Sequence, residues 1–182
     1  PLRRFRGVLG GDPAAVARGG LTPRGWDGWP CSRRRFGPVD VADRLIAENA
    51  AFADLLADPD PSTPVPTCPG WTLDQLTRHV GRGDRWCARI VAERSGEFID
   101  PPGGRPPADR DGRIAWLHEG VTGLIEAVES SGPDTPVWTF TGLRPARWWI
   151  RRRLHDTAVH RADAALALRA DFEIDPVVAA DG

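Results

Sequence analysis

The chain has 182 residues, a length that suits one domain and is short for two. Its 24 basic residues, all arginine, are balanced by 25 acidic ones, and this net charge of −1 argues against a dedicated polyanion-binding protein. No apolar run approaches the roughly 20 residues of a membrane span, and 41% hydrophobic residues exclude a wholly disordered chain.

Residues 1–38 differ in composition from the rest of the chain. They contain eight arginines against two aspartates, with eight glycines and five prolines. Such a segment buries too little apolar surface to offset the entropy of ordering it, so we predict a disordered basic tail, or upstream sequence translated from a wrongly assigned start. A basic arm for nucleic acid or membrane is the alternative, but no interleaved aromatic residues or amphipathic period supports it.

Apolar residues recur at three- and four-residue steps through residues 39–172, which indicates amphipathic helices. The pattern predicts four helices, near 40–57, 73–94, 110–130 and 144–168. Because no helix is apolar all round, each must pack against partners. We therefore predict an all-α four-helix bundle, in which the long connections favour crossover loops.

Local signals mark several helix ends. Asp40 is a suitable N-cap for the first helix, and Thr72 with Gln75 forms a capping box for the second. Gly132 followed by Pro133 ends the third helix.

One short segment before the fourth helix alternates as a strand does. Residues 137–141 read Val-Trp-Thr-Phe-Thr, but a single strand cannot form a sheet, so we predict an extended loop. The fourth helix is predicted to follow from residue 144, with Pro145 accepted in its first turn.

The three cysteines, Cys31, Cys68 and Cys87, are odd in number and include no Cys-x-x-Cys pair. This pattern excludes a disulfide framework and a cysteine-based zinc site. It predicts a protein of the reducing cytoplasm.

The fourth predicted helix carries a candidate metal-binding pair. Asp156 and His160 are four residues apart, so their side chains project from nearly the same face and can bind one cation. His79 on the second helix offers a third ligand if the two helices face each other. Two imidazoles and a carboxylate with open coordination positions are typical of a catalytic metal site. The alternative for the helical pair is a surface ion pair.

Other residues have both a functional and a structural interpretation. Trp71 and Trp138 could line a pocket for a thiol or a substrate, or pack the end of the bundle. Arg153 could recognise a substrate carboxylate, or pair with Asp156 three residues on. The same two interpretations apply to its neighbours on a solvated helix face, Arg147, Arg151 and Arg152.

For most of the remaining titratable residues we predict a structural role and not a catalytic one. Cys68 is either a reactive thiol or a packed loop residue, and Cys87 is predicted to lie in the core. His118 is predicted to lie at the surface and not to bind metal. Asp84 and Asp163 are candidates to accept the second N–H of a metal-binding imidazole.

Three motifs in the same order resemble a known family. They are residues 65–72 (VPTCPGWT) with 76–81 (LTRHVG), then 136–140 (PVWTF), then 155–163 (HDTAVHRAD). Over about residues 40–182 the chain resembles the metal-binding domain of mycothiol-dependent maleylpyruvate isomerases, part of the DinB/YfiT-like superfamily.

The resemblance implies a four-helix bundle with a metal, commonly zinc, held by His79, Asp156 and His160. Asp156 stands where the relatives usually have glutamate. A C-terminal domain follows the bundle in that family, so residues 173–182 are expected to be the start of such a domain, truncated here.

The resemblance also implies a chemistry. The metal lowers the pKa of the mycothiol thiol, the thiolate adds to an activated C=C bond, and rotation followed by elimination gives the trans isomer. Other members transfer the thiol to electrophiles. The expected partners are a small-molecule thiol and an electrophilic substrate, with no nucleic acid and no membrane. The alternatives are a non-catalytic metal-binding stress or sensor domain, and a nucleic-acid-associated protein that uses the basic tail.

Overall fold

The computed structural model describes residues 41–182. The tail predicted over residues 1–38 and the N-cap Asp40 lie outside this range. In chain order the elements are α1 Val41–Leu55, α2 Leu73–Ala92, α3 Arg110–Ser131, β1 Pro136–Val137, β2 Arg144–Pro145, α4 Arg147–Leu168 and α5 Pro176–Asp181.

The four long helices form the predicted bundle. Helix α2 packs against α3 and α4, and α1 packs against the same two helices from the other side. Helices α1 and α2 therefore lie diagonally across the bundle although they are consecutive, which is why the loop over residues 56–72 has to cross it. The all-α fold class is confirmed.

Capping groups set the ends of two of these helices. The Thr72 side chain accepts from the Gln75 backbone N–H, and the Gln75 side chain accepts from the Thr72 N–H at 2.8 Å, so the predicted capping box is present. Asp109 caps α3 through the Gly112 N–H, and Gly132, with a φ of 92°, ends it.

The segment between α3 and α4 differs from the prediction. Pro136 pairs with Pro145 and Val137 with Arg144, as two antiparallel two-residue strands. The prediction of an extended loop is therefore wrong at residue 137, and α4 begins at Arg147, not at residue 144. The partner strand was missed because Pro145 fits equally well in the first turn of a helix.

Helix α5 was not predicted. Asp175 caps it, Val178 is buried in the core, and Asp181 accepts a hydrogen bond from Arg151 Nε at 2.8 Å. These contacts pack residues 176–181 onto α4. Whether residues 173–182 begin a further domain stays a prediction.

The core consists of two apolar clusters at different levels of the bundle. On α2, residues 73–80 belong to one cluster and residues 87–91 to the other. On α4, Trp149 to Ala158 contribute to the second and Ala164 to the first. The polar residues that face each other between α2 and α4 lie at the junction of the two clusters.

Candidate metal centre

Helices α2 and α4 bring the three predicted metal ligands together. His79 Nε2 lies 4.0 Å from Asp156 Oδ2, and His160 Nε2 lies 3.8 Å from the same oxygen. One ligand atom from each residue lies within 4.8 Å of the other two. The imidazole rings of His79 and His160 are 4.9 Å apart, edge to face. Residues 77 positions apart in the sequence thus converge on one point.

The donor set and its spacing fit a divalent cation. Ligands of one tetrahedral zinc ion, with bonds of about 2.0–2.2 Å, lie roughly 3.3–3.6 Å apart. The two imidazole nitrogens are 3.8 and 4.0 Å from the carboxylate oxygen. Each imidazole nitrogen is therefore within about 0.7 Å of the separation from Asp156 that a shared ion would require, and all three ligand atoms lie within 4.8 Å of one another. Their role as ligands stays a prediction.

A carboxylate fixes the orientation of His160. Its Nδ1 lies 2.9 Å from Asp163 Oδ2, and Thr67 donates to the other Asp163 oxygen at 2.6 Å. The Cys68 thiol lies 3.6 Å from Asp163 Oδ2. An ionised carboxylate only accepts, so His160 donates from Nδ1, and Nε2 is the ring nitrogen that faces Asp156. Asp163 is one of the two acceptors that the sequence suggested.

Two arginines hold the Asp156 carboxylate. Arg152 donates to Oδ1 at 3.1 Å, and Arg153 donates to Oδ2 at 2.5 Å. Burial raises the pKa of Asp156, but Arg153, His160 and Arg152 together lower it below its ordinary value. The group is therefore an anion at neutral pH. The oxygen that faces both histidines is also the one bound by Arg153.

Arg153 is itself buried, with 5% of its surface exposed. Its Nε donates to Asp84 Oδ1 at 2.7 Å and its Nη2 to the Val80 carbonyl at 3.0 Å. Gly83 leaves room for the guanidinium, because a Cβ there would lie 2.8 Å from Arg153 Nη1. Of the two roles predicted for Arg153, the structure shows the pairing with Asp156. Recognition of a carboxylate on a bound small molecule, the other role, stays a prediction.

His79 is the exposed member of the cluster, with 44% of its side chain accessible. Its ring packs 5.0 Å from the ring of Trp71. Burial and the nearby His160 lower the pKa of His79, so a neutral imidazole is favoured. Trp71 thus lies directly beside the site, whereas its predicted contact with a cofactor has no test here.

A cavity of about 160 Å³ opens next to His79 and Asp156. Its walls are largely apolar, with Cys87, Trp86, Phe140 and Trp149 opposite the charged groups. Trp138 stands behind this wall, 5.8 Å from Trp86 and 5.5 Å from Phe140 between ring centres. The sequence singled out Trp138 but missed the three aromatic residues in front of it. The high content of tryptophan and phenylalanine over residues 138–149 was the feature of the sequence that could have indicated an aromatic wall.

The remaining histidines lie away from this centre, whereas both described cysteines lie close to it. His155 pairs with Asp181 at 2.8 Å and His118 is exposed on α3. Cys87 is buried, as predicted. Cys68 is half-buried, and burial together with Asp163 raises the pKa of its thiol, which makes it a poor nucleophile. Asp84 binds Arg153 and not an imidazole.

The family described as the mycothiol maleylpyruvate isomerase N-terminal domain matches residues 42–165. The chain belongs to this family. No curated protein and no solved structure matches it. The match covers α2 and α3 completely and nearly all of α1 and α4. It contains all three candidate ligands of this mycothiol-associated domain.

Within residues 41–182, no helix combines the length and the apolar composition required to cross a bilayer. This agrees with the absence of a long apolar run in the sequence.

Proposed function

We propose that this domain binds one divalent cation, zinc by preference, through His79, Asp156 and His160, and that it acts as a mycothiol-dependent isomerase or S-transferase on a small electrophile. The observation that carries the proposal is the convergence of three ligand atoms within 4.8 Å of one another. Membership of the mycothiol maleylpyruvate isomerase family supports the thiol cofactor.

The protonation states favour a cation at this point. Asp156 is an anion, His79 has a lowered pKa, and Asp163 holds the proton of His160 on Nδ1. His79 and His160 therefore each present a ring nitrogen to the anionic Asp156 oxygen, to which Arg153 also donates. Three protein ligands leave at least one coordination position for a small molecule.

A bound cation would supply Lewis acidity that lowers the pKa of a thiol ligand, so that mycothiol sulfur becomes a nucleophile at neutral pH. The protein's residues have the remaining tasks. Asp163 orients His160, Arg152 keeps one oxygen of Asp156 in place, and the exposed edge of His79 leaves an approach from solvent. No side chain needs to act as the nucleophile, which fits the buried Cys87 and the hydrogen-bonded Cys68.

Metal content of the purified full chain tests the proposal. We expect about one zinc or related ion per chain in the wild type, and almost none in His79→Ala or His160→Ala. His118→Ala is the matched control, because this exposed histidine lies on α3, away from the centre, and its variant should keep the metal. A full complement of metal in His160→Ala would exclude the site.

A second measurement separates the thiol enzyme from a non-catalytic metal-binding domain. Mycothiol titrated calorimetrically into metal-loaded protein should bind, and should not bind to the metal-free protein or to His160→Ala. Metal binding without thiol binding would leave the domain a sensor or storage module. We expect the chemistry to take place in the reducing cytoplasm and to need neither nucleic acid nor membrane as a partner.

A further inference from the structure

The cavity beside the candidate metal centre differs in character at its two ends. His79, Asp156, Arg152 and Arg153 line one end, and Trp86, Cys87, Phe140 and Trp149 line the other. A site for a small, fully polar acid would not need the apolar end. The apolar end therefore bears on which electrophile the protein takes.

The walls of the apolar end suit one aromatic ring. The cavity as a whole, with both of its ends, measures about 160 Å³. An apolar cavity of about 150 Å³ holds a benzene molecule, so this cavity admits one ring and not two. Trp86 and Trp149 lie 5.9 Å apart with planes at 60°, and Phe140 lies 5.7 and 5.3 Å from them. The three rings thus pack against one another as one aromatic surface, and a ring in the cavity would make the tilted or edge-to-face contacts that aromatic pairs prefer against that surface.

Phe140 lines the cavity and is also 58% exposed to solvent. An exposed phenylalanine that lines a cavity gains apolar contact when a ring enters. At the charged end, Arg152 is 43% exposed and makes only the pairing with Asp156 among residues 41–182. Its other N–H groups are free to hold a carboxylate.

We propose that the electrophile is a planar aromatic compound with an anionic group, whose ring enters the cavity and packs against Trp86, Phe140 and Trp149 while its anionic group faces Arg152. This inference rests on the proposed function, because the carbon that reacts must then lie beside His79 and Asp156. From the apolar end to the charged end of the cavity, the compound would place first its ring, then its reactive carbon and last its anionic group.

Two acids that differ only in the ring test the inference in metal-free, thiol-free full-length protein. Cinnamate carries a phenyl group on the C=C bond, and crotonate carries a methyl group in its place. We expect cinnamate to bind at least about tenfold more tightly, because only its phenyl group fills the apolar end. Equal affinity of the two acids would overturn the proposal.

The indole N–H signals in a ¹H–¹⁵N spectrum show where cinnamate binds. Those of Trp86 and Trp149, which donate to the Ile99 and Trp138 carbonyls, should shift on addition of cinnamate. The Trp116 signal should not, since its ring packs against Gly81 on the opposite side of α2 from Gly83. A shift of Trp116 as large as the other two would contradict the assignment.

Phe140→Ala should weaken cinnamate several-fold and leave crotonate unchanged. Leu143→Ala is the matched control, because Leu143 is equally exposed in the same turn but does not line the cavity. Unchanged cinnamate affinity in Phe140→Ala would overturn the proposal. The two proposals fail in different measurements. If only the ring inference is wrong, the cinnamate affinities disagree with expectation and the metal content does not change. If the proposed function is wrong, the histidine variants keep their metal.

Discussion

Asp156 is the residue on which the centre depends. Oδ1 binds Arg152, while Oδ2 binds Arg153 and faces both His79 and His160. Without a cation, the two guanidinium groups balance the buried negative charge. A cation would share Oδ2 with Arg153 and leave Oδ1 to Arg152, so the carboxylate keeps a partner in either state.

The position of the Arg153 guanidinium depends on Gly83, because a side chain at residue 83 would occupy the space beside it. We expect Gly83→Ala to lower the free energy of unfolding by about 0.5–2 kcal/mol, since displacing Arg153 loses a charged hydrogen bond of about 1.5–3 kcal/mol and alanine returns about 1 kcal/mol of helix propensity. Urea unfolding followed by circular dichroism measures the difference.

Gly123→Ala on α3 is the control for Gly83→Ala, because nothing lies within 4 Å of a Cβ at that position. It should stabilise the protein by about 0.5–1 kcal/mol through helix propensity alone. If both variants were stabilised equally, the guanidinium would not be held as the structure shows.

The three candidate ligands were accessible from the sequence because helical spacing places Asp156 and His160 on one face, and one partner on another helix completes the set. The pairing of Arg153 with Asp84 was not accessible, since it joins positions 69 residues apart. The wall of Trp86, Phe140 and Trp149 comes from two helices and a turn. The aromatic residues over 138–149 indicate part of it, but nothing in the sequence indicates that Trp86 joins them. Long-range packing decides such contacts, and a single sequence carries no periodic signal for them.

At the scale of the elements, α1 is joined to α4 through a polar pair. Glu48 interrupts the apolar stripe of α1, and the structure shows why this is tolerated. Arg161 Nε donates to Glu48 Oε2 at 2.7 Å and its Nη2 to Oε1 at 3.2 Å, with both side chains largely buried. A bidentate pair of this kind fixes the register of the two helices.

Removal of one partner should be costly. Glu48→Ala leaves a buried guanidinium without its carboxylate, so we expect a loss of about 3 kcal/mol in the free energy of unfolding. Glu93→Ala is the control, because it breaks an exposed pair with Arg89 within α2 and should cost about 0.5 kcal/mol or less. Thermal or urea unfolding checks both, and similar losses would mean that the α1–α4 pair does not contribute as a buried pair.

The long helices were predictable as elements because their apolar stripes and caps agree with each other. The start of α4 was not, because residues 144–146 carry no signal that separates a helical turn from a strand. Only the partner, Pro136–Val137, decides it, through a turn that is closed by hydrogen bonds between Thr139 and Gly142. The local sequence pattern does not tell which two segments pair, so this strand pair could not be predicted from it.

At the scale of the whole molecule, the metal-free protein should lose stability on mild acidification. The pKa of His79 is lowered from 6.5 in the folded state. Between that lowered value and 6.5 the unfolded chain binds more protons, so the free energy of unfolding falls as the pH falls through this window. Urea unfolding at pH 7.5, 6.5 and 5.5 measures the slope. His79→Gln should have a smaller slope, and an identical slope would show that His79 is not held neutral by folding.

Metal binding should couple the centre to the stability of the entire bundle. His79 is on α2 and its partners are on α4, so the complete site exists only when the two helices are packed together. A ligand that binds only the folded state adds about 2.7 kcal/mol at a concentration of 100 times its Kd. For a domain of this size, that free energy corresponds to a rise in Tm of about 5–10 °C.

We therefore expect zinc to raise the Tm of the wild type at pH 7.5 and a chelator to reverse the rise. His118→Ala should show the same rise, and His160→Ala should show none. At pH 5 the rise should shrink in the wild type, because protons compete with the cation for the imidazole nitrogens. A zinc-induced rise of equal size in His160→Ala would place the cation elsewhere on the molecule, whatever the convergence of the three side chains suggests.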